Sequence, residues 1–520
     1  MLDLKITGAR LLDGSGGPAA DRDVGVRGDR IAEIGSLADA PARLTLHAPG
    51  RLLCPGFIDV HSHSDAYLLL EPAAPSKIFQ GVTTEVVGNC GVSAAPLARP
   101  EDLPSDWAAL PYPGAWRSVA EYADLLIRAK PALNVALLAG HGRLRAAVLG
   151  HAGRPATPDE IRAMALRLEQ AFDEGVIGLS SGLIYPPGLF AEPPEIHALA
   201  RVAARRGGLY ASHLRSEGQR LLEALDELLD TGRAARVRLQ VSHLKTSGRA
   251  NWGLLDAALD KLRAARDAGL ELAADRYPYI ASGTDLDAIF PAWAKEGGRA
   301  AILNRLRDPD TRRRLREDLL ASRPESSWGA IVVGSTAHPD NARFMGRPLD
   351  EIAQTLGLEP VDAALRLIET DELRTSAFFF GMSEDNLWRI LAEPWVMIGS
   401  DASLRAPSGP LSHDHPHPRA YGAFARFLRA ALDGRTVPLP EAIRKMTALP
   451  ADHFRLRDRG RLVPGAFADL ALFDPAAVRD AATFAQPHQL AAGLETLVVN
   501  GRLVIHQGRP TGDRPGRLLR

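Results

Sequence analysis

The segment GFIDVHSHSD carries two histidines, His61 and His63, two residues apart at the end of an apolar run. Side chains at i and i+2 of a strand point to the same face, so both imidazoles can converge on one point. Such a pair also arises as ordinary surface residues; the ends of other apolar runs give this one its weight. His213 closes LYASH, His243 closes LQVSH, Asp401 closes VMIGSD, and Cys90 follows TTEVVGN. Imidazole, thiolate and carboxylate together suit Zn2+ better than Mg2+ or Ca2+, which prefer all-oxygen shells. Zinc with an open position makes hydroxide available near neutral pH, and a nearby carboxylate can move the proton. Cys90 taken alone reads equally well as a small buried hydrophobe.

Residues so far apart in sequence meet only if the fold brings strand ends together. Strand patterns fall at Leu52–Val60, Thr83–Val87, Asn134–Ala139, Val176–Leu179, Gly208–Ser212, Val237–Ser242, Glu271–Ala274 and Trp395–Gly399. Between most of them lie amphipathic helical stretches, Pro158–Glu174, Pro194–Arg206, Glu217–Thr231 and Leu254–Ala268. This alternation predicts an α/β protein, a (β/α)8 TIM barrel over residues 51–450, whose C-terminal rim gathers the candidate ligands. The stretch from 283 to 394 is too long for a loop and predicts an inserted small subdomain, with helices at Ala300–Arg307, Leu349–Gly357 and Pro360–Thr370. Residues 1–50 and 451–520 are strand-rich and turn-punctuated, and predict one β-sandwich built from both termini.

Composition narrows the function classes. The 520 residues carry 62 Lys+Arg against 63 Asp+Glu, a formal net charge of -1, which gives no electrostatic reason to expect nucleic acid or an anionic membrane as partner. Two cysteines, Cys54 and Cys90, exclude a disulfide framework and point to a reducing cytoplasm. The N-terminus reads as a strand and turn without a leader pattern, and no apolar run approaches the ~18 residues of a membrane span. Oligomeric state is not legible.

His-x-His after strand one, His on strands five and six and Asp on strand eight resemble the amidohydrolase superfamily. More narrowly, GVTTEVVGNCG, GLSSGLIYPPG, SHLRSEG, SHLKTSG, DRYPY and SHDHPHPRAYGAFAR resemble the N-acyl-D-amino-acid deacylases, and the likeness runs over nearly the whole chain. Many cyclic amidohydrolases bridge two zincs with a carboxylated Lys on strand four, where this chain reads GLSSGL; in the deacylases a Cys after strand two serves instead, and Cys90 stands there. The resemblance implies a tight Zn2+ on Cys90, His213 and His243, with His61, His63 and Asp401 outlining a second, weaker position. Asp401 is implied to take the proton of water and deliver it to the leaving nitrogen. The substrate is expected to be a small N-acyl amino acid, its carboxylate met by Lys245, Tyr277 and Ser282, with Tyr185 near the scissile acyl group.

Other readings remain. The same centre would serve N-acyl β-amino acids, D-amino-acid dipeptides or a cyclic amide, and a barrel that has lost catalysis would serve as a scaffold, though such barrels usually lose ligands. The HDHPHP tract, with His413, His415 and His417, is expected to be structural, and His141 to be a pocket or rim residue. Arg276, if it reached the pocket, would favour an acidic side chain; as the strand neighbour of Tyr277 it is expected to point the other way.

Overall fold

The computed structural model describes residues 1–99, 103, 107, 110–324 and 327–520. Eight parallel strands, Phe57–Asp59, Val82–Val87, Asn134–Gly140, Gly178–Gly182, Leu209–His213, Arg238–Val241, Leu272–Arg276 and Val396–Ile398, pair in sequence order. A parallel bridge between Ser62 and Ala402 draws the first and last together, nearly closing the barrel. The strands are buried on both faces because helices cover the outside. The helix Pro158–Glu174 shows how the sequence builds that layer. Thr157 and Glu160 form a capping box, Pro occupies the first turn, and Gly175 ends the helix with φ 116°. Its buried residues Met164, Leu168 and Ala171 lie on one stripe.

The expected first strand, Leu52–Val60, is in fact two. Leu52–Pro55 runs antiparallel to Leu470–Phe473 in the flanking sheet, and Phe57–Asp59 enters the barrel. Pro55 and Gly56 make the break: proline has no N–H to continue a ladder, and a Cβ at Gly56 would lie 2.2 Å from Thr83 Cγ2. The helix expected over Glu217–Thr231 begins at Leu221 and runs to Ala235, which leaves Glu217 in the preceding loop.

Both termini contribute to the flanking unit. A four-stranded sheet from the N-terminal segment faces a seven-stranded sheet that combines Arg10–Leu11, Ala20–Asp21 and Leu52–Pro55 with four strands from the C-terminal segment. Leu4, Ile6, Val24, Leu53, Leu470 and Val498 share its core. The insertion has its own core, including Leu286, Leu319, Ile352 and Leu365. The three expected helices are present, at Gly298–Arg307, Leu349–Leu356 and Pro360–Thr370, but the insertion also holds helices at Pro309–Ser322 and Glu384–Ala392 and a three-stranded antiparallel sheet, Ala281–Asp285, Ser376–Phe380 and Ile331–Val333, that the sequence pattern does not signal. The edge strand ASGTD carries little β propensity and owes its conformation to Ser376–Phe380 beside it. That strand leaves the seventh barrel strand directly, so the insertion is anchored at the rim.

Candidate active site

Three candidate ligands sit just past strand ends in left-handed backbone: Cys90 at φ 53°, His243 at 37° and Asp401 at 49°. Such conformations persist only where the surroundings over-determine them, and they cluster at functional sites. Ligand atoms of His61, Cys90, His243 and Asp401 all lie within 4.8 Å of one another. His61 Nε2 is 3.3 Å from Cys90 Sγ and 3.4 Å from Asp401 Oδ1. Cys90 Sγ is 3.5 Å from His243 Nε2, and His63 Nε2 is 3.2 Å from Asp401 Oδ1. Asp275 orients the group from inside the barrel: Oδ1 accepts from His61 Nδ1 at 3.0 Å and from the His243 backbone N–H at 2.8 Å. His61 therefore keeps Nε2 for the cluster, the usual support for a ligating imidazole.

The grouping differs from the implied one. His213, Glu217 and His243 form a second set of converging ligand atoms, and Glu217 was not anticipated. Glu217 Oε1 lies 2.9 Å from His243 Nδ1, and the same carboxylate pairs with Lys245. His213 packs edge-on against His243, ring centroids 4.4 Å apart, and against Tyr185 at 4.9 Å. Both ring nitrogens of His213 are buried without a hydrogen-bond partner. An imidazole left so in a protein interior is costly unless something else uses it.

A sequence profile of the amidohydrolase family matches residues 45–505. The chain belongs to the amidohydrolase family. Among relatives, an N-acyl-D-glutamate deacylase of Alcaligenes xylosoxydans xylosoxydans is 40% identical over 100% of this chain and 96% of its own. A D-aminoacylase of the same organism is 39% identical over 99% of this chain and 97% of its own. The crystal structure of an N-acyl-D-glutamate deacylase from Bordetella bronchiseptica, complexed with zinc and a phosphonate mimic of the tetrahedral intermediate, superposes with a TM-score of 0.85 at 38% identity, covering 100% and 99% of the two chains.

The charge states in this amidohydrolase suit zinc. Burial pushes the Cys90 thiol up, but His61, His213 and His243 overcome it and hold the thiol well below its usual range, as a thiolate. Burial pushes His213 down, toward the neutral imidazole that binds metal. Burial raises the Asp401 carboxyl, yet Arg419, His243 and His61 keep it well below the carboxylate range. Burial and Lys245 oppose charge on His243, but Glu217, Asp401 and Cys90 lift it to about 9. The ionised thiol and carboxylate, with a neutral His213 whose ring nitrogens have no hydrogen-bond partner, make a donor set of the kind zinc accepts.

Beside the cluster lies a group of cationic side chains around Tyr277. Arg419, unanticipated, donates through Nη1 to Asp401 Oδ2 at 2.7 Å and through Nη2 to the Gly283 carbonyl at 3.1 Å. Tyr277 is fully buried with its hydroxyl unpartnered. Lys245 Nζ stands 2.8 Å from His243 Nδ1; it lies beyond the end of the strand Arg238–Val241, so a loop and not the strand pleat sets it there. Ser282 is in the edge strand opposite Phe379, between Ala281, whose carbonyl accepts from His417, and Gly283, held by Arg419. Tyr185 bonds Thr284 at 3.0 Å, hydroxyl to hydroxyl. Arg276, the last residue of its strand, is buried with its guanidinium 4.1 Å from the Tyr277 ring centroid.

Two of the three histidines of the HDHPHP tract make structural contacts, and His413 is exposed. His415 donates to the Phe484 carbonyl at 2.7 Å, and His417 to Ala281 at 2.9 Å while accepting from the Arg419 N–H. His141 is buried and bonds Glu195 at 2.7 Å, which Arg145 also holds.

Proposed function

We infer that this chain hydrolyses the linear amide of N-acyl-D-amino acids with zinc, releasing a carboxylate and a free D-amino acid. The observation that carries the reading is the convergence of His61, Cys90, His243 and Asp401 beside the orphaned nitrogens of His213, with a group of cationic side chains alongside. Full-length relatives named as D-amino-acid deacylases support the reaction and are the sole support for the D hand.

Cys90, His213 and His243 would hold the tight zinc, and His61, His63 and Asp401 a weaker second position. Zinc bound there polarises the acyl carbonyl and acidifies water. Arg419 occupies Asp401 Oδ2, so Oδ1, facing His61 and His63, is the atom free to take a proton. Returning that proton to the departing nitrogen is required, because an unprotonated amine is a poor leaving group. Lys245, Tyr277 and Ser282 receive the α-carboxylate, charge-assisted bonds giving both affinity and orientation. Tyr185, tied to Thr284 of the insertion, walls the acyl side and helps keep water out. A cyclic-amide substrate has less support: at the fourth strand end Ser181 bonds Tyr210 at 2.6 Å and Ser212 at 3.1 Å, with no lysine present.

No helix among the described residues is long and apolar enough to cross a membrane. A cytoplasmic location agrees with two free thiols, one of them a ligand.

Amine release from matched N-acetyl-D- and N-acetyl-L-amino acids, with and without added Zn2+, tests the reading. The expected result is D over L by at least about tenfold, abolished by chelation. Hydrolysis of hydantoin or dihydroorotate, without turnover of any N-acetyl-D-amino acid, would reject it in favour of the cyclic alternative.

A further inference from the structure

Three cations surround the Tyr277 ring: Arg276 at 4.1 Å, Arg419 at 4.5 Å and Lys245 at 5.9 Å from its centroid. Two of them are balanced by acids of this chain, Lys245 by Glu217 and Arg419 by Asp401. Arg276 is 1% exposed, and no carboxylate among the described residues pairs with it. Its Nη2 donates to the Tyr279 carbonyl at 2.9 Å and meets Met382 Sδ at 2.9 Å, whereas Nη1 and Nε are buried with no acceptor. The Tyr277 hydroxyl, on the same cluster, also lacks a partner.

A guanidinium stays charged at any physiological pH, so burial without a counter-ion is costly, and buried arginines are normally paired. A buried Arg with two free N–H groups is a donor set for a carboxylate. We propose that Arg276 reads a carboxylate in the substrate's side chain, so that the preferred substrates are N-acyl-D-amino acids with an acidic side chain. This rests on the deacylase reading above. The charge balance supports it: Lys245, which receives the α-carboxylate with Tyr277 and Ser282, shares its charge with Glu217, and Arg419 shares its charge with Asp401, so a second carboxylate answers to the cation left without an acid. A neutral side chain leaves Arg276 unpaired and gains nothing from it. Overall identity cannot make this choice, since the chain is as near to a D-aminoacylase at 39% as to an N-acyl-D-glutamate deacylase at 40%.

The decisive comparison is kcat/KM on N-acetyl-D-Glu against its uncharged isostere N-acetyl-D-Gln, with N-acetyl-D-Asp and N-acetyl-D-Leu beside them. The zinc-loaded wild-type enzyme is expected to favour Glu over Gln by about tenfold or more, the effect of one charge-assisted bond pair. Arg276→Met should bring that ratio to within about threefold while leaving N-acetyl-D-Leu turnover and zinc content within about twofold, and Arg276→Lys should keep part of the preference. A wild-type ratio near one, or equal losses on every substrate in Arg276→Met, overturns the proposal. Should the variant fail to fold, competitive inhibition of the wild type still decides: glutarate should bind about tenfold more tightly than pentanoate, and equal inhibition overturns the carboxylate site. Absence of turnover on every N-acetyl-D-amino acid would overturn the deacylase reading itself, and equal binding of glutarate and pentanoate would then reject the Arg276 site independently.

Discussion

Two buried polar clusters are interleaved along the same chain segments, and they differ in how fully they satisfy themselves. One is built on Lys77, whose Nζ reaches Asp59 at 2.8 Å, Glu85 at 2.9 Å, Ser400 at 2.9 Å and the Ala402 carbonyl at 3.0 Å. Ser62 and Ser64 donate to the same Glu85 oxygen, and Asp59 accepts from the Ser400 N–H. Only Glu85 Oε2 is left over in that network. The other is the rim cluster, where His213 leaves two nitrogens, Tyr277 a hydroxyl and Arg276 two nitrogens without partners. Ser62 lies between His61 and His63, and Ser400 precedes Asp401, so alternate residues brace the backbone and present ligands. Buried polar groups that close on one another hold a fold; those left open mark where a metal or substrate is received.

The contrast can be broken most sharply at the open cluster. Cys90→Ala or His213→Ala should reduce zinc from about one per chain to under a tenth and lower turnover by about 10³-fold or more, while cooperative unfolding persists. Retention of zinc with turnover within about tenfold would show that the open valences are not ligands. At the closed cluster, Lys77→Met leaves two buried carboxylates uncompensated and should cost about 3–5 kcal/mol of stability in urea unfolding. A loss below about 1 kcal/mol would mean that the network braces little.

Asp65, two residues beyond His63, gives the smallest effect. It accepts from the Gly88 and Ala94 N–H groups, but burial pushes its carboxyl up to about 6, with His63 opposing. The folded chain therefore keeps a proton between about pH 4 and 6 that the unfolded chain releases, so stability should fall as pH rises through that window, by up to about 3 kcal/mol, and remain lower above it. Thermal melts of zinc-free wild type and Asp65→Asn at pH 4.5 and 7 measure the difference; parallel slopes would place Asp65, ionised throughout, with the closed network.

The barrel and the ligand types were legible because strand ends carry them: an apolar run followed by His, Cys or Asp marks a rim position whatever the loops do. What the loops contribute was not. Glu217 read as the start of an amphipathic helix, yet the helix begins at Leu221, with Gly218 between, and the loop turns the carboxylate toward His243 and Lys245. Arg419 passed as part of a proline-rich connection. A cation in the first turn of the helix Arg419–Leu432 opposes the helix dipole, and that misplacement was the available signal. The stacking of Arg276 on Tyr277, its neighbour in sequence, is a side-chain contact that alternation does not supply. The grouping of ligands likewise depends on side-chain partners such as Asp275, and no spacing encodes them.

The left-handed backbone at Cys90, His243 and Asp401 bears on how this protein can evolve. Such positions admit Gly, Asn, Asp and His readily and exclude β-branched residues. Asp401 can become Asn or Gly by a single-base change, and either substitution suits its φ of 49°. Chemistry can therefore be lost there without backbone strain, at the cost of Arg419's counter-ion, for which Asn still offers an acceptor and Gly does not, whereas a valine would strain the backbone as well. A lineage derived from this barrel has a short path to a folded, inactive descendant and a long one to a new ligand set.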